Sequence, residues 1–291
     1  MIRLTKRPPD FRQLLKVLHK EVPDRPVLFE LFVCDEVLEA VTGKKLVNAG
    51  KFEKDQAIIK TYEALGYDYA LVMPSAFEFK AKPRAAKASV SINEGAIITD
   101  RESFDAYEWP SAADYDYSHM ERLAAGKPEN MGLLVWSADG PLESVIKLAG
   151  YENLCYMLYD DEYLFPWHRE IVRMAHESGR PAILHSCGRY DGVIEDIIND
   201  MGYDARHSYE DNIVPVEKAY GQLFPRLAVL GGIDMNFLAT ATKEEIARRS
   251  KNMLEMTAQS GGYALGSGNS IPSYVPLENY MTMIKTALDH E

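Results

Sequence analysis

The chain has 291 residues, 46% of them hydrophobic, and a formal charge of −12 from 44 acidic and 32 basic side chains, so it can bury a large core. A surface this negative repels phosphates and excludes most nucleic-acid partners, and any anionic substrate must meet a local positive pocket. Cysteines at 34, 155 and 187 make no disulfide framework, no run reaches the ~18 apolar residues of a membrane span, and residues 1–9 lack a signal-peptide stretch, so the expected setting is the cytoplasm.

Eight short apolar runs recur along the chain, at 27–33, 69–73, 133–136, 154–158, 182–184, 205–208, 227–230 and 263–265. Between them lie amphipathic stretches: in 161–178 Ile171, Met174 and Ala175 fall at helical spacing, and in 243–259 Ile246, Met253, Leu254 and Thr257 do. Strands alternating with helices imply a parallel sheet, and eight units in this length imply one (β/α)8 TIM barrel spanning 1–291. A doubly wound sheet would show a Gly-rich phosphate turn after the first strand, and no GxGxxG follows Val33. One segment, about 80–131, breaks the rhythm after strand two. There Asn93-Glu-Gly95 between the β-prone runs 88–92 and 96–99 predicts an inserted hairpin, with loops at Trp109-Pro110 and 126–128 around a short helix.

Barrel topology gathers the residues just past each strand into one mouth. His185-Ser-Cys187 follows strand five, and because i and i+2 share a side, an imidazole and a thiolate there can share a Zn²⁺ ion. A strand closing on one satisfied histidine is the other reading of that tripeptide. Glu30 stands in an apolar strand, which requires a functional or ion-paired role. Asp139, Asp160 and Asp161 precede helices and read as N-caps, and Cys155, mid-strand, reads as a small core residue. Glycines 231, 232, 266 and 268 allow either tight turns or close approach of a ligand to the backbone.

Three motifs in order then carry a family resemblance: Ile183-Leu-His185-Ser-Cys187-Gly188, Leu230-Gly-Gly-Ile-Asp234, and Gly266-Ser-Gly-Asn-Ser-Ile-Pro272 leading to 276–279, with Arg25-Pro-Val27 opening strand one. The chain resembles the uroporphyrinogen decarboxylase superfamily, in particular its corrinoid-linked methyltransferase branch, which includes the methylcobalamin:coenzyme M enzymes. It departs from the decarboxylases, whose Arg-Gln-Ala-Gly-Arg stretch after strand one is replaced by Glu30-Leu-Phe-Val-Cys34-Asp35 and whose Phe-Ser-Asp-Ile-Leu segment by 73–77. A carboxylate-rich tetrapyrrole lacks its charge-assisted partners here.

The methyltransferase resemblance implies zinc ligands at His185 and Cys187, with Asn269, or Ser267, where the branch has a third, cysteine ligand. Similarity to cobalamin-independent methionine synthase implies Glu210 as the replacement. Fewer thiolates leave a zinc more electrophilic. The expectation is a zinc-dependent methyltransferase working with a corrinoid protein on a small methoxy, N-methyl or thiol compound. Metal ligands are His185, Cys187 and Glu210; catalytic carboxylates are Glu210 and Asp234; substrate contacts are Glu30, Arg189, His207, Tyr209, Ser267 and Asn269. The alternatives are a decarboxylase-like lyase or a metal-free barrel that binds a small ligand.

Overall fold

The structure, a computed structural model, describes residues 2–80, 96–136, 140–160 and 165–290, with 157–160 described by backbone alone. The expected strand at 88–92, its Asn93-Glu-Gly95 turn, Asp139 and Asp161 lie outside these residues, as does the side chain of Asp160. Parallel strands alternate with helices as the sequence predicts. After the helices α1 (Phe11–Leu18), α2 (Asp35–Thr42) and α3 (Lys51–Leu65), the strands β1 (Tyr69–Val72) and β2 (Gly132–Val135) form one parallel pair. A second parallel sheet runs in chain order through β3 (Ile183–His185), β4 (Ala205–His207), β5 (Ala228–Leu230) and β6 (Tyr263–Ala264).

The first apolar run extends this second sheet past β6. Leu28 bridges Leu265 and Val33 bridges Ile271, both in parallel, and Phe29 N–H donates to the Leu265 carbonyl while Leu265 N–H donates to that of Val27. First run beside last is the adjacency a closing barrel requires. Among the described residues, however, the hydrogen-bonded ladders stop short of a closed ring: none joins the 27–33 run to β1, and none joins β2 to β3, where the expected strand is helical. The 154–158 run lies inside α7 (Tyr151–Asp160), which follows α6 (Pro141–Ala149) across Gly150 at φ 83°. A five-residue apolar run does not distinguish a strand from a helix by its period. Helical geometry turns Leu154 inward and leaves Tyr156 66% exposed and Cys155 on the surface, so Cys155 is not the core residue its strand assignment implied.

Two helix faces test the amphipathic reading. In α11 (Lys243–Thr257) the four predicted residues Ile246, Met253, Leu254 and Thr257 are all buried, and a Thr242–Glu245 capping box starts the helix. In α8 (Phe165–Glu177) the predicted face is rotated: Ile171 and Met174 are exposed, while Phe165, His168, Val172 and Ala175 turn inward. Those four also recur at helical spacing, so the stripe had two admissible phases. The inserted segment contributes α4 (Arg101–Asp105) and α5 (Ser118–Gly126), and the latter is the short helix predicted between the two loops. At 96–99, the expected second strand of the hairpin, the N–H groups of Ile97 and Ile98 donate to the Leu148 carbonyl, and among the described residues this stretch joins no ladder.

The central strands β4 and β5 are buried throughout, with Ala228, Val229 and Leu230 fully inaccessible. No described helix is long and apolar enough to cross a membrane.

Candidate active site

The strand ends of β3 and β4 set the site. Paired in parallel register, His185 stands opposite His207, and their Nδ1 atoms lie 2.8 Å apart. His207 is completely buried, and its Nε2 lies 3.2 Å from the Ser267 carbonyl oxygen. A carbonyl only accepts, so His207 Nε2 carries the proton and its Nδ1 is a lone pair. His185 must then donate from Nδ1, which leaves His185 Nε2 bare and 3.9 Å from Cys187 Sγ. Burial, with the neighbouring His185, pushes His207 down to about 3 and fixes it neutral, as the chain requires. Desolvation, assisted by the Arg206 charge, also lowers His185.

Around Cys187 two donors converge. Asn269 Nδ2 lies 3.3 Å and Ser208 Oγ 3.6 Å from Sγ, and both the thiol and His185 remain open to solvent. Ser208 sits at φ 89°, a left-handed conformation that costs a non-glycine residue of order 1–3 kcal/mol and that tends to collect at functional sites. The sequence reading passed over Ser208, and nothing in a single serine after a strand signals positive φ.

Glu30 occupies the interior behind this cluster. It is fully buried; Oε1 accepts from Ser267 Oγ at 2.7 Å and from Leu31 N–H at 3.3 Å, while Oε2 has no partner among the described residues. Burial pushes the carboxyl up to about 8, against the lowering effect of those hydrogen bonds. Tyr69 holds the Glu30 backbone by donating from its hydroxyl to the carbonyl at 2.6 Å and accepting from N–H at 2.7 Å, and it packs with buried Tyr62 and Tyr67. Glu30 thus faces the interior, and among the described residues it has neither the ion-pair partner nor the opening to a substrate that its place in the sequence implies. Ser267 links both halves, its hydroxyl on Glu30 and its carbonyl on His207.

The other expected site residues lie elsewhere. Asp234 is the N-cap of α10 (Met235–Thr240), with Oδ1 accepting from Phe237 N–H and Oδ2 from Asp211 N–H at 3.0 Å each. Its two carboxyl oxygens are engaged in holding backbone. Asp234→Ala is expected to lower stability by about 1 kcal/mol and to leave catalysis within twofold, as urea denaturation and steady-state rates would record. Tyr209 is buried on the far side of β4, where its hydroxyl donates to the Arg206 carbonyl and its ring packs on the Arg206 guanidinium. Arg189 reaches into solvent, 71% exposed, with Asp191 at 3.7 Å. The buried cation nearby is Arg206, alternating with the inward-facing His207 and so pointing behind the strand.

Glu210 lines a cavity with Arg206 and Tyr209 and does not converge on Cys187: among the described residues no three His, Cys, Asp or Glu side chains come together as a metal cage. A catalytic zinc takes three protein ligands, and two on a tetrahedral ion stand about 3.5 Å apart. His185 Nε2 and Cys187 Sγ come near that spacing, yet Asn269 turns its NH₂ group, a donor, toward the sulfur. Among the described residues the set is one ligand short.

Residues 158–290 match the family model for uroporphyrinogen decarboxylase (URO-D). Among solved structures, a methyltransferase from Methanosarcina mazei shares the fold, with a TM-score of 0.59 at 14% identity over 99% of each chain. No curated protein matches the chain.

Proposed function

Residues 158–290 match the uroporphyrinogen decarboxylase family model, and from that premise we propose that the chain is a methyltransferase of that superfamily, acting with a corrinoid protein on a small methylated or thiol compound. The observation that carries this reading is the directed hydrogen-bond chain from Ser267 through His207 to His185, which aims a bare Nε2 lone pair at the space beside Cys187. Fold similarity to a methyltransferase supports it. On the same reading the two sheets are arcs of one (β/α)8 barrel, with the 27–33 run joining its last strand.

A corrinoid carried by the partner would supply or accept the methyl group at cobalt. The chain's own groups manage the proton. An incoming thiol gives its proton to His185 Nε2, and the thiolate so formed takes the methyl group; in the opposite direction His185 returns the proton to the departing sulfur. The lowered pKa of His185 keeps it neutral and ready as a base near pH 7. Asn269 and Ser208, which donate into the Cys187 sulfur, are placed to orient an incoming sulfur in the same way. No step here is routed through zinc, because the described residues offer two of the three ligands a catalytic zinc takes; stoichiometric zinc released by His185→Ala, with activity lost to a chelator, would restore metal-assisted transfer. Tetrapyrrole decarboxylation is disfavoured because the described residues bring no buried arginine to the mouth: Arg189 is in solvent and Arg206 lies behind β4.

The test is methyl transfer from free or protein-bound methylcobalamin to a panel of small thiols, followed by the absorbance of the demethylated corrinoid, with and without chelator. Chelator-insensitive transfer is expected. Absence of transfer in either direction would favour the second reading, a metal-free barrel that binds a small ligand.

A further inference from the structure

Behind β4, between the segment that follows β3 and α9 (Val216–Leu223), lies a cavity of about 330 Å³. Arg206 lines it and is only 7% exposed. The Tyr190 ring stands 3.8 Å from one part of the guanidinium and the Tyr209 ring 4.8 Å, and Nε has no hydrogen-bond partner. Aromatic rings pack against the guanidinium and leave its Nε–H without an acceptor, and a guanidinium edge is the geometry that receives a carboxylate through two parallel hydrogen bonds.

The remaining charges of the cavity decide what else that ligand carries. Arg226 is bound by both carboxylate oxygens of Glu195, at 2.9 and 2.8 Å, and Asp191 lies 3.7 Å from Arg189. Arg206 and Glu210 are the two lining charges without an ion-pair partner among the described residues. A simple anion would satisfy Arg206 but face Glu210, and a simple cation the reverse. Ile194, Ile213, Val214 and Leu223 supply an apolar wall. From one unpaired cation, one unpaired anion and an apolar wall in a space of ligand size, we propose that this cavity binds a small apolar α-amino acid, its carboxylate on Arg206 and its ammonium on Glu210.

The site is separate from the methyl-transfer centre but touches its frame. Ser208 and Gly188 line the cavity, Ser208 Oγ donates to Cys187 Sγ, and Tyr190 donates from its hydroxyl to the Cys187 carbonyl at 2.6 Å. Occupancy would therefore steady the loop that carries Cys187.

Calorimetric titration of the full chain tests the assignment without any methyl-transfer assay, so the two can fail separately. The probes are L-leucine, 4-methylpentanoate, which lacks the ammonium, and 3-methylbutylamine, which lacks the carboxylate. L-leucine is expected to bind at millimolar or lower concentration and each analogue about tenfold more weakly or worse. Arg206→Met should abolish leucine binding, and Glu210→Gln should reduce leucine to the affinity of 4-methylpentanoate. Glu210 is half-exposed, so that variant and the analogue series still decide the question if Arg206→Met fails to fold. Failure of L-leucine, L-valine and L-isoleucine all to bind, equal binding of 4-methylpentanoate, or leucine binding unchanged in Glu210→Gln overturns the proposal.

Discussion

Replacing His185 by alanine is expected to lower methyl transfer to a thiol by about 10²- to 10⁴-fold, the usual range for a general base. Its Nε2 is the only lone pair the hydrogen-bond chain leaves facing the open side of Cys187. The loss should fall mainly on kcat, since the variant still offers Asn269 and Ser208 to an incoming sulfur. It should also shrink as pH rises through the thiol's own pKa, because a substrate already ionised needs no base. His207→Phe should reproduce part of the defect, about 10- to 100-fold, by removing the acceptor that keeps His185 protonated on Nδ1. A rate deficit in His185→Ala that stays constant up to high pH would assign His185 a role other than proton acceptor.

The second large effect concerns Glu30. Its carboxyl is pushed up to about 8 in the folded protein by burial, against 4.5 in the unfolded chain, so the native state holds a proton that the unfolded state releases between those values. The sign follows directly: stability is greatest below pH 4.5, falls as pH rises toward 8, and levels off above it. The slope from this one group approaches about 1.4 kcal/mol per pH unit. Glu30→Gln has nearly the same shape and no titration, so its urea midpoint relative to wild type should climb steadily from pH 4.5 to 8. Parallel midpoint curves would mean that Glu30 is ionised in the fold, with a cation or water on Oε2.

Glu30 also shows how far a sequence reading reaches. An acidic residue between Phe29 and Leu31 in an apolar run announces an unusual carboxylate, because burial of charge is costly wherever the chain goes. What relieves it, a hydroxyl from Ser267 and a neutral charge state in place of an ion pair, depends on residues 237 positions apart. His185 and Cys187 were legible for a similar reason: two residues apart at a strand end, they share a side by local geometry alone. Asp234 was legible as a carboxylate after a strand, but whether it caps a helix or meets a substrate depends on where Phe237 and Asp211 present their N–H groups.

The sequence by itself therefore determined what local periodicity and residue chemistry determine: parallel strands alternating with helices, the inward face of α11, the strand end that carries His185 and Cys187, and the anomaly at Glu30. Tertiary structure alone decided the rest. It made 154–158 a helix, rotated the buried face of α8, left Arg189 in solvent, took Glu210 behind β4 beside Arg206, and set the His185–His207–Ser267 tautomer chain. A short apolar run fits two periods and a helix stripe two phases. Which of them forms is selected by packing against distant segments, and the direction of a hydrogen bond by an acceptor brought in from another strand.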